Sequence, residues 1–250
     1  MAHGTVSLAP VSNIPISAWQ KLTEKKIYFG HQSVGYNIID GLKYIQREHP
    51  QVKLNIVEIK NASEVGRPML AHSSLGENED PRSKMQAFSN YLETGIGNNA
   101  DIALLKFCYT DITAYSDIDK IFSEYKTTME RLKKEYPRTK FIHATVPLMV
   151  SKTSIRSLAK KVLGKEDHNI KRNRYNEMLK KEYLGKEPIF DIAQIESTRP
   201  DGSRSSFAKQ GTTYYSLASE YTDDGGHLNE QGQRAVAQEL LVELVKLVQK

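Results

Sequence analysis

Cysteine is nearly missing from this 250-residue sequence, in which Cys108 is the single example. One cysteine excludes an internal disulfide framework and a cysteine-rich zinc site. Long apolar runs are missing too, since no stretch approaches the roughly 18 uninterrupted apolar residues that a membrane-spanning helix needs. What is present is an ordinary globular composition, with 39% hydrophobic and 26% charged residues. Such a chain can bury a sizeable core.

The beginning of the sequence lacks the pattern of a secretory leader. Residues 1–17 contain neither a charged n-region nor an apolar h-region. Their Ser/Pro/Val character predicts a flexible arm ahead of a single domain over residues 18–250. Two locations stay open, namely the cytoplasm, or the cell envelope or exterior for a protein whose leader has been removed.

Positive charge is concentrated in one segment. The formal net charge is +5, and residues 151–186 contain 11 Lys and Arg against 4 Asp and Glu. Such a segment can attract nucleic acid, another anionic polymer or a membrane surface, or it can be a solvated helix face. Because Glu and Tyr are interleaved through it, we favour the solvated face and expect no nucleic-acid partner.

Strand and helix patterns alternate along the chain. The predicted strands are 27–29, 52–59, 101–107, 139–146 and 188–195, and the predicted helices are 34–48, 83–92, 118–136, 152–184 and 229–248. Residues 60–81 and 197–227 are predicted to be long loops, which are usually functional. Alternation of this kind means parallel pairing with right-handed crossovers. We therefore predict an α/β fold, a three-layer αβα sandwich around a five-stranded parallel sheet.

A serine follows the first predicted strand. Open parallel sheets form their sites at the carboxyl ends of the strands. Ser33, in the sequence Gly-His-Gln-Ser that begins at Gly30, lies between that strand and a helix. Backbone N–H groups at a helix start favour a developing negative charge, which suits a nucleophile. The alternative is an ordinary N-cap serine.

A histidine precedes the last predicted helix, three residues after an aspartate. The spacing of Asp224 and His227 lets a turn direct the carboxylate toward Nδ1 of the imidazole, where it would fix the tautomer and support an imidazolium. The alternative is that Asp223 and Asp224 only form a turn before a helix capped by Asn229.

Together, Ser33 and the Asp-x-x-His sequence at 224–227 resemble the motifs of the SGNH, or GDSL-like, hydrolases. The resemblance implies a flavodoxin-like α/β fold, with Ser33 as nucleophile, His227 as base and Asp224 as its partner. It implies neither a metal nor an organic cofactor.

The resemblance also implies donors for an oxyanion. The family has a glycine in the loop after the second strand, which Gly66 matches, with Gly76 as the alternative. It then has Gly-x-Asn-Asp after the third strand, where this sequence has Cys-Tyr-Thr-Asp at 108–111. Thr110 thus takes the place of the oxyanion-binding Asn. Either the Thr110 hydroxyl or the Asn78 amide would then be the donor to the oxyanion in its place.

Two further groups are candidates for contact with substrate. His31 lies beside Ser33, and a structural hydrogen bond is an equal alternative for it. Arg67 and Lys106 are a weaker candidate pair for an anionic substrate group.

The function that follows is a serine esterase acting by two-step acyl transfer. Long polar loops and the lack of an apolar lid favour small acyl groups, above all acetyl, on a carbohydrate or polysaccharide. The alternatives are an O-acyltransferase with the same triad, a non-catalytic glycan-binding module, and an anionic-polymer binder that uses residues 151–186. The sequence does not indicate an oligomeric state.

Overall fold

The computed structural model describes residues 11–151 and 167–249. Its helices are α1 (Ile16–Thr23), α2 (Val34–Glu48), α3 (Pro81–Tyr91), α4 (Gly97–Asn99), α5 (Ile118–Glu135), α6 (His168–Tyr183), α7 (Ile192–Ser197) and α8 (Glu230–Gln249). Its strands are β1 (Lys26–His31), β2 (Ile56–Glu58), β3 (Met69–Ser74), β4 (Ile102–Leu105), β5 (Lys140–Ala144), β6 (Ile189–Phe190), β7 (Ser206–Lys209) and β8 (Thr212–Tyr215). Single helical turns lie at Val11–Asn13, Ala62–Glu64, Leu92–Ile96, Tyr109–Asp111 and Ser219–Tyr221.

The main sheet is parallel and runs in the order β2-β3-β1-β4-β5-β6. Without the edge strand β2, this is the doubly wound order, in which β1 lies between a strand on each side where the order reverses. The predicted α/β fold class is therefore confirmed. The predicted number of strands is wrong, because the sheet has six.

The additional strand, β3, lies inside the predicted loop 60–81. Only its first three residues are apolar, and the polar side chains that follow conceal it. Those polar groups are nevertheless buried with partners, since the Ser73 hydroxyl is 2.8 Å from the Tyr28 hydroxyl on β1. Polar pairing between neighbouring strands thus replaces the apolar run expected of a buried strand.

The end of the predicted strand 188–195 is a helix instead. β6 ends at Phe190, and the carboxylate of Asp191 accepts a hydrogen bond from the N–H of Gln194 at 3.2 Å. This N-cap starts α7 and stops the strand. The predicted loop 197–227 also contains regular structure, because β7 and β8 form an antiparallel hairpin.

Two other predictions fall partly outside the described residues. Of the predicted basic helices over 152–184, α6 accounts for 168–183, and residues 152–166 lie outside the described part. Of the predicted arm, residues 1–10 lie outside it, and the turn Val11–Asn13 and the first residues of α1 lie within it. A single domain over 18–250 stays a prediction.

Two apolar cores separate the sheet from the helices. One contains α1, α2 and α8, and the other contains α3, α5 and α6. β1 contributes to both, with Ile27 and Phe29 in the first core and Tyr28 in the second. This alternation follows from the pleat of a strand that is buried on both faces. Among the helices described, none is long and apolar enough to cross a membrane.

Helices α2 and α8 lie against each other at close range. A Cβ atom on Gly41 of α2 would lie 2.2 Å from the carbonyl oxygen of Gln233 on α8, so only glycine fits there. Ser33 immediately precedes α2, and His227 lies shortly before α8. The packing of these two helices therefore brings the loop after β1 and the loop before α8 together at the carboxyl end of β1.

Candidate active site

Ser33 occupies the N-cap position of α2 without acting as a cap. Its side chain makes no hydrogen bond to the first turn of the helix. Its Oγ lies instead 2.8 Å from Nε2 of His227. The backbone has φ 51° and ψ −110°, a conformation that L-residues rarely adopt. Strained backbone of this kind clusters at functional sites, where the surrounding structure holds it in place.

Asp224 contacts the opposite side of the imidazole. Its Oδ2 lies 2.7 Å from Nδ1 of His227, and its Oδ1 accepts hydrogen bonds from the backbone N–H groups of Gly226 and His227, each at 2.8 Å. Partial burial acts to raise the pKa of the Asp224 carboxyl, but these hydrogen bonds outweigh it and hold the pKa well below its usual range. The carboxylate is therefore ionised at neutral and mildly acidic pH.

The Asp224 and His227 side chains face solvent. Their exposed fractions are 57% and 47%, respectively. A large polar molecule can therefore approach these two side chains.

A buried lysine lies beneath the Ser33 turn. Lys106 is fully buried, and its Nζ donates to the carbonyl oxygen of Gln32 at 2.9 Å. Burial lowers the pKa of this ammonium group. Lys106 thus holds the residue before Ser33, and it is not accessible to a substrate anion as predicted for the pair Arg67 and Lys106.

The glycine predicted as an oxyanion donor is not free to donate. The N–H of Gly66 donates to the carbonyl oxygen of Glu64 at 3.0 Å. Gly76 has the better position, because it follows β3, the strand that pairs with β1, and its carbonyl accepts a hydrogen bond from the Gln32 side chain. The N–H groups of Gly76 and Ser33 donate to no residue in the described ranges. The geometry therefore favours Gly76 over Gly66.

The two side chains predicted to replace the missing Asn differ in their surroundings. The hydroxyl of Thr110 is buried and has no hydrogen-bond partner within the described part of the chain. Asn78 is exposed, and its Oδ1 accepts from Nζ of Lys84 at 3.1 Å. Lys84 in turn forms a fully buried ion pair with Asp111, with 2.7 Å between Nζ and Oδ2. This pair ties the loop of Asn78 to the Tyr109–Asp111 turn.

His31 is enclosed by the protein. It is fully buried, and its Nε2 lies 3.1 Å from Nδ1 of His72. Burial, with help from His72 and Lys106, lowers the pKa of His31 to about 2. The structure therefore favours the alternative of a structural hydrogen bond, made by a neutral histidine inside the protein.

Tyr109 contacts the Ser33–His227 pair, and sequence reasoning did not identify it. Its ring is edge-on to that of His227, with the centroids 5.7 Å apart. Its hydroxyl lies against Gly226, the residue before His227. The only signal in the sequence is its place inside the Cys-Tyr-Thr-Asp segment, at the position where the family pattern accepts any residue.

No metal cluster accompanies these groups in residues 11–151 and 167–249. Within those ranges, no set of three or more His, Cys, Asp or Glu side chains is arranged to hold a metal ion.

Solved structures with the same fold include GDSL-like hydrolases. A protein assigned as an acylhydrolase from Bacteroides fragilis is 13% identical, with a TM-score of 0.55 over 96% of this chain and 99% of that chain. A member of the lipolytic G-D-S-L family from Veillonella parvula is 15% identical, with a TM-score of 0.53 over 86% of this chain and 95% of that chain. A GDSL-like lipase from Bacteroides thetaiotaomicron is 16% identical, with a TM-score of 0.51 over 92% of this chain and 89% of that chain. This chain therefore has the SGNH, or GDSL-like, hydrolase fold. Comparison of the sequence with protein-family models and with curated proteins finds no match.

Proposed function

We propose that this chain is a serine acyl-ester hydrolase in which Ser33, His227 and Asp224 form the catalytic triad. The observation that carries the proposal is the continuous line of two hydrogen bonds, 2.8 Å from Ser33 Oγ to His227 Nε2 and 2.7 Å from His227 Nδ1 to Asp224 Oδ2. Both lie within the range for a nucleophile, its base and the group that orients the base.

The proposed reaction has two steps. Oγ of Ser33 attacks the ester carbonyl carbon while its proton passes to Nε2 of His227. The carbonyl electrons move onto oxygen, and this oxyanion is bound by the N–H groups of Ser33 and Gly76, which donate to no residue in the described ranges. The intermediate then expels the alcohol, which takes the proton from His227 and leaves an acyl-Ser33. Water, activated by His227, releases the acid in the same way, while Asp224 stabilises each imidazolium.

The substrate class that we propose is a carbohydrate or polysaccharide that carries small acyl groups, above all acetyl. The exposure of His227 and Asp224 supports this, because a bulky polar substrate can reach them without entering a tunnel. A long acyl chain would instead need an apolar channel that buries most of its surface.

Acetate release from an acetylated xylan tests the proposal. We expect the wild-type protein to release acetate from the polysaccharide and from p-nitrophenyl acetate, and Ser33→Ala to lose at least about 10³-fold in kcat on both. Hydrolysis of the aryl ester alone would contradict the carbohydrate substrate. Transfer of acetyl to an added glycan acceptor, faster than its release to water, would indicate an acyltransferase. No reaction with either ester would contradict the enzyme itself.

A further inference from the structure

The Asn position of the oxyanion motif is occupied by Thr110, and its side chain does not replace the amide. A donor to an oxyanion must be accessible before substrate binds, because the substrate oxygen has to reach it. The Thr110 hydroxyl is enclosed, with almost no exposed area, and has no partner in the described part of the chain. The preceding residue in the same turn is Tyr109, and each of the two residues is half-buried as a whole.

The hydroxyl end of Tyr109 lies between the turn that carries His227 and the serine. A Cβ atom on Gly226 would lie 3.0 Å from Cζ and 3.1 Å from the hydroxyl oxygen of Tyr109, so the phenol packs directly on this glycine. The Tyr109 ring also lies edge-on to the imidazole of His227, with 5.7 Å between the ring centroids, and Nε2 of that imidazole is 2.8 Å from Oγ of Ser33. The phenol is therefore packed against the turn and the imidazole that contact Ser33.

Arg172 is hydrogen-bonded to the turn that contains Tyr109. This side chain is 2% exposed, and its Nε donates to the carbonyl oxygens of Tyr109 at 2.8 Å and of Ile112 at 3.1 Å. Its guanidinium also lies 5.7 Å from the centre of the Tyr109 ring. A buried cation with two backbone carbonyls fixes the turn, and the fixed turn limits where the phenol can lie. Such preorganisation makes a donor effective in catalysis.

We propose, resting on the function proposed above, that the Tyr109 hydroxyl is the third oxyanion donor and replaces the missing Asn amide. In the first step, Oγ of Ser33 bonds to the carbonyl carbon and the carbonyl electrons move to oxygen. That oxygen accepts hydrogen bonds from the N–H groups of Ser33 and Gly76 and from the O–H of Tyr109. The phenol keeps its proton throughout, because the proton of Ser33 goes to His227.

The protonation state of the phenol agrees with this role. Burial raises the pKa of Tyr109, and the nearby charge of Asp224 acts in the same direction. The hydroxyl is therefore a donor over the whole neutral and mildly alkaline range.

The test is Tyr109→Phe, which removes the hydroxyl and keeps the ring that packs on Gly226 and His227. We expect kcat on p-nitrophenyl acetate to fall about 10²-fold with little change in KM, in the range seen when one oxyanion donor is removed. The affinity for a boronic acid inhibitor, which forms a tetrahedral adduct on serine, should fall by a similar factor. Tyr115→Phe is the matched control, because Tyr115 is 84% exposed, and it should retain wild-type kinetics.

Two outcomes would overturn the inference. One is a Tyr109→Phe variant with wild-type kcat and inhibitor affinity. Another is a loss of kcat in Tyr109→Phe without any loss of inhibitor affinity, which would indicate a purely structural role. If the first outcome is found and Asn78→Ala loses about 10²-fold in kcat, the donor is Asn78. A wild-type protein with no turnover and no boronic acid binding would instead overturn the proposed function, and this inference with it.

Discussion

At the scale of single residues, Asp224 shows that two interpretations of one motif need not compete. One carboxylate oxygen closes the turn by accepting from Gly226 and His227, as a turn-forming aspartate does. The other oxygen meets Nδ1 of His227. Asn229 likewise caps the following helix through the N–H of Gly232. The same short segment therefore forms the turn and orients the imidazole.

The substitution Asp224→Asn separates these two roles. An Asn side chain can still accept the turn hydrogen bonds, but its NH₂ group would face Nδ1 and favour the wrong tautomer of His227. We expect kcat to fall by about 10³- to 10⁴-fold with little loss of stability. Asp223→Asn is the control and should retain activity. Equal losses of kcat in the two variants would show that catalysis depends on the turn and not on the contact of Asp224 with the imidazole.

The strained backbone of Ser33 predicts an unusual gain in stability. Glycine adopts positive φ without steric cost, whereas alanine at φ 51° keeps the strain. We therefore expect Ser33→Gly to unfold at a higher urea concentration than Ser33→Ala, by about 1 kcal/mol in the free energy of unfolding. Both variants lack the hydroxyl, so the comparison does not depend on catalysis. A less stable glycine variant would contradict the strain.

The sequence predicts the candidate residues whose placement is local to a short segment. Ser33, Asp224 and His227 could be predicted because strand ends and a three-residue spacing place them. For Gly66 and His31 the sequence left an alternative open, because the choice depends on hydrogen bonds to Glu64 and His72, which the sequence does not show. Tyr109 was missed because its role depends on where its ring packs in three dimensions.

At the scale of secondary structure, the contact of α2 with α8 sets the distance between Ser33 and His227. Each helix begins close to one of these residues, and the glycine at position 41 lets the two axes approach. A shift of α8 by a methyl group's width would lengthen the 2.8 Å hydrogen bond at the start of α2.

Gly41→Ala tests this coupling. The added Cβ meets a backbone carbonyl, which cannot rotate away, so the helices must separate. We expect a loss of about 1–3 kcal/mol in stability, typical of overpacking, together with a fall in kcat. Gly66→Ala is the control, because no atom lies within 4 Å of the Cβ position there. A Gly41→Ala variant as stable and active as Gly66→Ala would contradict the proposed coupling.

Strand and helix prediction succeeded where periodicity was strong and failed where polar groups were buried. The apolar spacing of residues 34–48 predicted α2 with its observed bounds. β3 was missed because His72 and Ser73 look like loop residues until their partners on β1 are known. The end of the last predicted strand was wrong because Asp191 caps a helix within an otherwise apolar run.

At the scale of the whole molecule, one buried carboxyl makes stability depend on pH. Glu196 is fully buried, and its Oε1 accepts from the N–H of Leu148, while its Oε2 has no partner among the described residues. Burial raises the pKa of this carboxyl from 4.5 to about 8. Between these two values the folded protein keeps a proton that the unfolded chain releases. The contribution of Glu196 to stability is therefore lost as the pH rises toward 8.

Glu196→Gln removes this titration and preserves the shape of the side chain. Between pH 5 and pH 8, we expect the wild type to lose on the order of 3 kcal/mol more stability than the variant. Urea denaturation at both pH values measures the difference, and taking the difference cancels the titration of the buried histidines. Glu177→Gln, at an exposed position on α6, should behave as the wild type does. Parallel pH profiles for wild type and Glu196→Gln would contradict a protonated Glu196.

The central claim is that Ser33 is an activated nucleophile, and covalent labelling tests it most directly. The protein is incubated with a fluorophosphonate, and the modified residue is located by tandem mass spectrometry, with His227→Ala as the variant that lacks the base. The account predicts one adduct per chain, on Ser33, and labelling that is at least about 10²-fold slower in His227→Ala. An unlabelled wild type beside a fully labelled control esterase, or an adduct on another residue, would contradict it.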